Sequence, residues 1–204
     1  SGIAGLSFAL KASKAGSVAL ITKKDRAESS TNYAQGGIAA ALSEGDSFDL
    51  HINDTLKAGD GLCHPDVVEL VVKSGPAMIK ELLDIGVRFT ERAGAGSNKL
   101  HMLDLGKEGG HSKRRIVHAA DLTGQEIERA LLAAAASKEN ISIFENHIAV
   151  DLLLDSKLRK SSSESARDMC WGAYVMDRKT NEIHTFRSPV TLLATGGAGK
   201  VYLY

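Results

Sequence analysis

Several absences bound what this chain can be. Its 204 residues include only three prolines and two cysteines, and 25 Lys and Arg balance 25 Asp and Glu. A formal charge of zero offers no global field to gather nucleic acid or an anionic membrane, so neither is an expected partner. Cys63 and Cys170 belong to no metal or redox motif; they fit free thiols in a reducing compartment, with a pairing between them left open. No apolar run approaches the roughly 18 residues of a membrane span. No internal repeat and no secretory leader is visible. The chain opens inside what reads as a motif, so its true start is expected upstream of Ser1. His51, His64, His101, His147 and His184 lack metal-ligand spacing, and no metal is expected.

What is present is ordinary globular composition, 43% apolar and 25% charged, with 20 glycines gathered in clusters. Clustered glycine points to backbone passing close to a ligand rather than to a flexible linker.

The opening "SGIAGLSFALKASKAGSVALIT" reads as loop, apolar helix, a stop at Gly16, and a short buried strand over Val18 to Thr22. "SSTNYAQGGIAAAL" reads as a loop entering a small-residue segment. Phe48, Ile52 and Leu56 stand four apart, which predicts a helix over Ser47 to Lys57 with Gly59 after it. Asp66 to Asp84 predicts a second helix, interrupted near Gly75-Pro76 and ended by Gly86. Residues 90–121 show no period and read as one long loop. Thr123-Gly124-Gln125-Glu126 has the form of a capping box, opening a helix that runs to Ser137. Ile141 to Phe144 and Ile148 to Leu154 read as strands, and "RKSSSESARD" as a polar surface turn. Trp171 to Met176 and Glu182 to Phe186 flank "DRKTN" as a hairpin, and Val190 to Thr195 reads as a closing apolar strand. The alternation of strand and helix with a late hairpin predicts an α/β fold.

Three glycine clusters carry the chemistry. Ser1-Gly2-Ile3-Ala4-Gly5 matches the last five positions of G-x-G-x-x-G, a turn that brings backbone N–H groups and a helix N-terminus to a pyrophosphate. Close helix–strand packing is the alternative reading of such a turn. The acid expected about 20 residues on, which would hold the ribose hydroxyls, is absent. Lys23-Lys24 stands there and Asp25 comes late, which argues against an ordinary NAD site and leaves a variant flavin site open. "STNYAQGGIAA" adds hydroxyls, an amide and the consecutive N–H groups of Gly36-Gly37, and "ATGGAGKVY" follows the closing strand. Taken singly, either is a tight turn; in this order the three clusters bracket the chain as a dinucleotide site requires.

Together with "EGGHSKRRIVHAAD" and the Thr-Gly that follows, these stretches resemble the succinate dehydrogenase/fumarate reductase flavoprotein family from Ser1 to Tyr204, and within it a branch that oxidises L-aspartate. The resemblance implies a Rossmann-like FAD-binding domain over 1–204. It would have a parallel sheet and a β-hairpin or meander insertion, and would be truncated at both ends. Its first strand would precede Ser1, and its capping and helical domains would follow Tyr204. It places the FAD pyrophosphate on Ser1, Gly2, Ile3, Ala4 and Gly5, with Lys23 where the family departs from the usual acid. Ser30, Thr31, Asn32, Tyr33, Ala34, Gln35, Gly36 and Gly37 would wrap the flavin side, and Ala194, Thr195 and Gly196 would cover FAD.

Two positions separate branches of the family. The membrane-complex enzymes resemble "SHTVAAQGG" where this chain has "SSTNYAQGG"; their histidine bonds FAD covalently, and Ser30 cannot, so non-covalent FAD is implied. The dicarboxylate enzymes resemble an apolar F-G-G where this chain has Glu108-Gly109-Gly110. A carboxylate there can meet the α-ammonium of aspartate, a contact of about 1.5–3 kcal/mol. His111 either lines the site or bonds within the loop. His118 reads as structural, and Lys113-Arg114-Arg115 as a solvated basic face.

The implied reaction takes L-aspartate to iminoaspartate, with oxygen or fumarate as acceptor, as the first step toward quinolinate and NAD; quinolinate synthase is a candidate partner. The implied compartment is the cytoplasm, or the plastid in a plant. The groups that clamp the substrate carboxylates and move its proton are expected beyond residue 204, so these residues alone are expected to be inactive. Four alternatives stand beside this reading: a soluble fumarate reductase or succinate dehydrogenase-type flavoprotein, a non-catalytic FAD-binding module, a nicotinamide dehydrogenase that Lys23 disfavours, and a purely structural α/β domain, which leaves three ordered glycine clusters unexplained.

Overall fold

The computed structural model describes residues 1–92, 100, 102–158 and 168–197. The chain forms two compact units, one of Ser1–Ser30 with Leu131–Tyr204 and one of Thr31–Ala130. In chain order, α1 (Ile3–Ala12) and β1 (Val18–Thr22) open the first unit. The second holds β2 (Ile38–Ala39), α2 (Phe48–Ala58), α3 (Pro65–Ile85), β3 (Leu105–Gly106) and β4 (Ile116–Val117). Helix α4 (Thr123–Ala136) contributes residues to both. The first unit is completed by β5 (Ile141–Glu145), β6 (His147–Leu154), the single-turn α5 (Asp155–Leu158), β7 (Cys170–Asp177) and β8 (Ile183–Arg187).

In the first unit β1 pairs with β5 in parallel, from Val18 opposite Ile141 to Thr22 opposite Glu145. A parallel pair cannot close through a hairpin and needs a long crossover, which is why strands over a hundred residues apart become neighbours. Helix α1 packs on β1 and buries Leu6 and Ala9. Strands β6, β7 and β8 form an antiparallel meander, with Ala173 opposite both Leu152 and Phe186. The β7–β8 turn follows the predicted "DRKTN", and Asn181 supplies its left-handed residue at φ 60°.

The second unit is built on a three-stranded antiparallel sheet with β4 at its centre. Ser47 caps α2 by accepting from the Leu50 N–H at 3.2 Å. Gly86 ends α3 in the left-handed conformation, φ 102°. Val72, Ile79, Phe89, Leu103, Ile116 and Val117 are buried and form its core.

Several expectations are corrected. Helix α3 runs unbroken through Gly75-Pro76, with Val72 on one side and Ile79 and Leu82 on the other all buried, so packing of the apolar face overrides the local helix-breaking tendency; a Cβ at Gly75 would lie 3.4 Å from the Ala40 Cβ, which favours a small residue there. The first helix ends at Ser13, before Gly16, through a turn in which the Gly16 N–H reaches the Ala12 carbonyl. Residues 90–121 are not one loop; β3 and β4 lie within them, and Glu91 bridges Leu103. These strands are two residues long, too short to show any period. Thr123 and Glu126 form no capping box. The Thr123 hydroxyl accepts from Ala119 N–H, and the Glu126 carboxylate accepts from Arg88 N–H and from Arg129. Residues 190–195 form no strand, because no described residue supplies a ladder partner; Val190 and Leu193 are exposed. Cys63 and Cys170 are free thiols. His101, most of the Ser-rich turn and the end of "ATGGAGKVY" lie outside the described residues.

Candidate flavin and substrate site

In the first unit the glycine turn leads directly into α1. Gly2 is the N-cap in extended conformation, makes no side-chain cap, and no acid occupies the first turn. A helix N-terminus with no carboxylate in its first turn favours an anion. The Ser1 hydroxyl lies 3.0 Å from the hydroxyl of Thr22, the last residue of β1. A Cβ on Gly5 would sit 3.6 Å from the Ala194 Cβ, so the turn and the Ala194–Gly196 segment, far apart in sequence, are brought together. Gly196 is left-handed at φ 75°. Lys23 follows β1, and its carbonyl accepts from Arg178 Nη1 at 2.9 Å. A glycine turn that leads into a helix N-terminus suits a diphosphate.

In the second unit the Thr31–Gly37 loop is shaped by two glycines that cannot carry a side chain. A Cβ on Gly37 would lie 2.4 Å from both Ile116 Cγ2 and the Val117 carbonyl. A Cβ on Gly124, at the start of α4, would lie 1.9 Å from the Thr31 carbonyl oxygen. The Gly124 N–H donates to the Ala34 carbonyl at 2.9 Å, and the Ala34 N–H to Thr31 at 3.1 Å. Tyr33 and Gln35 are exposed, and so is Ser30 in the first unit.

Glu108 stands in the turn that joins β3 to β4. Its Oε1 accepts from the Gly37 N–H at 3.4 Å, so the predicted substrate-reading carboxylate and the predicted flavin loop meet. Glu108, Gly109 and Gly110 are all exposed, and Gly110 is left-handed at φ 81°. His111 turns inward: its Nδ1 lies 3.4 Å from Arg115 Nη1, and its ring meets the His51 ring edge-on at 5.6 Å. His118 lies 3.4 Å from Asp104 through Nε2.

The feature that sequence reading missed lies beneath this turn. Arg115, taken for part of a solvated face, is fully buried. Its Nε and Nη2 bond the two oxygens of Asp46 at 2.8 and 2.7 Å, and its Nη1 bonds Asp54 Oδ2 at 2.7 Å. Burial alone would lower the Arg115 pKa; the two carboxylates outweigh it and raise it. The Asp54 carboxyl is pulled down to about 2, first by the Ser112 N–H and hydroxyl and then by Arg115, against the effect of burial. His51 is pushed below its usual value by burial and then by the nearby Arg115 charge. Lys113 and Arg114 are exposed, as expected. A usable signal was the position of Arg115 directly before Ile116-Val117, since a charge adjoining a central strand is drawn inside and needs partners.

The family model for the FAD binding domain matches residues 1–203. The chain belongs to that family. It is 48% identical over 202 residues to the chloroplastic L-aspartate oxidase of Arabidopsis thaliana, covering 99% of this chain and 29% of that protein. It is 43% identical over 208 residues to an L-aspartate oxidase of Pseudomonas aeruginosa, covering 100% and 37%. Among solved structures, an E. coli quinol fumarate reductase superposes with a TM-score of 0.85 at 31% identity, covering 100% of this chain and 32% of that one. The chain therefore spans about a third of the length of the relatives it matches. The fold is that of a fumarate reductase-type flavoprotein domain, and the cofactor of the family is FAD. Among the described residues no helix is long and apolar enough to cross a membrane, and no three His, Cys, Asp or Glu side chains gather as a metal site.

Proposed function

We propose that the full-length protein carrying this chain oxidises L-aspartate to iminoaspartate with non-covalent FAD, passing electrons to oxygen or fumarate. The observation that carries this reading is Glu108, an exposed carboxylate between glycines with Oε1 on the Gly37 N–H. Its geometry leaves the carboxylate able to accept a hydrogen bond from an approaching ammonium, which aspartate has and succinate lacks. The identity of 43–48% to L-aspartate oxidases supports the same reading.

FAD, when bound, supplies the hydride acceptor. The chain's own residues bind and orient. Ser1, Gly2, Ile3, Ala4 and Gly5 receive the pyrophosphate, and Ala194, Thr195 and Gly196 close over the cofactor. Lys23 takes the place of the usual ribose-binding acid, and Ser30 through Gly37 face the flavin. Glu108 holds the substrate nitrogen. His111, turned toward Arg115, supports the loop rather than the substrate. Capture of the substrate carboxylates and of the released proton falls to residues outside these 204. The product is an imine whose consumer condenses it toward quinolinate; we place quinolinate synthase there.

The test is Glu108→Gln in the full-length protein, comparing aspartate and succinate as electron donors. Loss of roughly 10- to 100-fold in kcat/KM for aspartate, from a contact of about 1.5–3 kcal/mol, is expected. A variant that oxidises aspartate as well as the parent would overturn the assignment, and efficient succinate oxidation by the parent would favour the fumarate reductase reading.

A further inference from the structure

The turn that carries Glu108 is hydrogen-bonded to helix α2 through one oxygen atom, Asp54 Oδ2. Its base is closed by the Arg115 N–H on the Gly106 carbonyl at 3.0 Å. Between those residues the chain passes through Gly109 and Gly110, a pair with wide backbone freedom. Four residues after Glu108, Ser112 gives both its N–H and its hydroxyl to Asp54 Oδ2, each at 2.8 Å. The same oxygen receives Arg115 Nη1 at 2.7 Å. Asp54 lies in the middle of α2, and Arg115 is itself locked onto Asp46, just before that helix. The Gly110 Cβ position lies 3.8 Å from Ala58 Cβ on the last turn of α2, so the loop lies along that helix. Toward the Gly37 loop, Glu108 Oε1 accepts from the Gly37 N–H at 3.4 Å, and the His111 N–H reaches the Glu108 carbonyl at 3.4 Å.

We propose that Ser112 and Asp54 are positioning residues that fix the Glu108 carboxylate in place, and that this pin sets the preference for an α-amino dicarboxylate over one without the amine. The proposal rests on the reading of Glu108 given above. A charge-assisted hydrogen bond is strong only within a narrow range of distance and angle. A loop with two adjacent glycines does not hold that range by itself, because ordering it costs conformational entropy. Three donors on one carboxylate oxygen of a helix meet that cost in advance, before substrate arrives. A dicarboxylate lacking the ammonium makes no use of Glu108, so its binding does not register whether the pin is present.

The experiment uses the full-length flavoprotein with Ser112→Ala, Ser112→Thr, Glu108→Gln and the Glu108→Gln/Ser112→Ala pair. It measures the KM for aspartate, the inhibition constant of succinate and the amide exchange of residues 107–114. Ser112→Ala is expected to raise the aspartate KM about 5- to 10-fold, less than the full worth of a hydrogen bond to a charged group because the Ser112 N–H and Arg115 still hold Asp54, and to leave succinate within about twofold. Amide exchange should quicken over 107–114 and stay unchanged over α4, which shows that the fold is kept. Ser112→Thr, which retains the hydroxyl, should restore the parent values. In the Glu108→Gln background the Ser112→Ala change should add nothing, since the pin acts through Glu108. Equal weakening of aspartate and succinate, no weakening of aspartate, or the same factor in the Glu108→Gln background would each overturn the pin. Should Glu108→Gln alone leave aspartate unaffected, the reading of Glu108 fails first and the pin falls with it, an outcome separate from the Ser112 arms.

Discussion

Arg115 and Asp46 meet as a fork on a fork, with two bonds at 2.8 and 2.7 Å and both side chains sealed from water. A buried pair of this kind stabilises little relative to an apolar pair of the same shape, yet is costly to break on one side only. Arg115→Ala is therefore expected to destabilise the protein by about 3–5 kcal/mol, because Asp46 would be left as an uncompensated charge. Arg115→Lys should recover only part of this, since an ammonium cannot reproduce the planar fork. Lys113→Ala, two residues away and exposed, should stay within about 0.5 kcal/mol. Urea denaturation of the three variants makes the comparison.

Acid should reveal Asp54. Its carboxyl titrates near 2 in the folded protein against an ordinary value of 3.8. The folded value is the lower one, so the stabilisation is complete above the ordinary value and is lost as pH falls through about 2. Glu145, held at about 2 by the Arg26 side chain and backbone N–H, contributes a slope over the same window. The informative quantity is thus the difference between parent and Asp54→Asn: the variant's stability, followed by denaturation from pH 7 down to 2, should fall less steeply with acid. Identical slopes would show that Asp54 is not held as described.

Glycine at positions 37 and 124 is required by space rather than by backbone angle, since neither is left-handed. An added methyl would meet backbone oxygens at 2.4 and 1.9 Å respectively. Gly37→Ala and Gly124→Ala should each cost roughly 1–3 kcal/mol, the usual toll of overpacking. At Gly16 nothing lies within 4 Å of the Cβ position, so Gly16→Ala should be neutral or slightly stabilising. Thermal unfolding of the three variants distinguishes clash from general intolerance of alanine.

Ser30 has no ring nitrogen to bond a flavin covalently. Acid precipitation of the full-length holoprotein should therefore leave the yellow flavin in the supernatant. A Ser30→His variant tests whether the position alone controls attachment. Colour in the pellet of the parent would refute dissociable FAD.

The long-period features were legible in the sequence. Val18 to Thr22, the Ser47-capped helix, the alanine-rich helix and the "DRKTN" hairpin all fall where their patterns put them, because each carries its own local signal. The two-residue strands β2, β3 and β4 do not, since their identity comes from partners distant in sequence. The same reason hid Arg115. In "SKRRIV" only its place beside the apolar Ile116-Val117 sets the third base apart, and the partners that allow its burial, Asp46 and Asp54, stand some 60 to 70 residues upstream. Helix α3 shows the converse, with a local breaker overridden by the burial of Val72, Ile79 and Leu82 around it. The glycine clusters identified a cofactor class but not which glycines are irreplaceable, a distinction set by what crowds each one.

Three donors from Ser112 and Arg115 converging on one Asp54 oxygen also constrain evolutionary change. Losing the Asp54 carboxylate, the hydroxyl at position 112 or the Arg115 guanidinium leaves a partner of the other two short of a bond, so these three chemistries are expected to be kept together. A natural relative that lacks the carboxylate, the hydroxyl or the guanidinium should lack its partners too, and an alignment in which the three vary independently would contradict it.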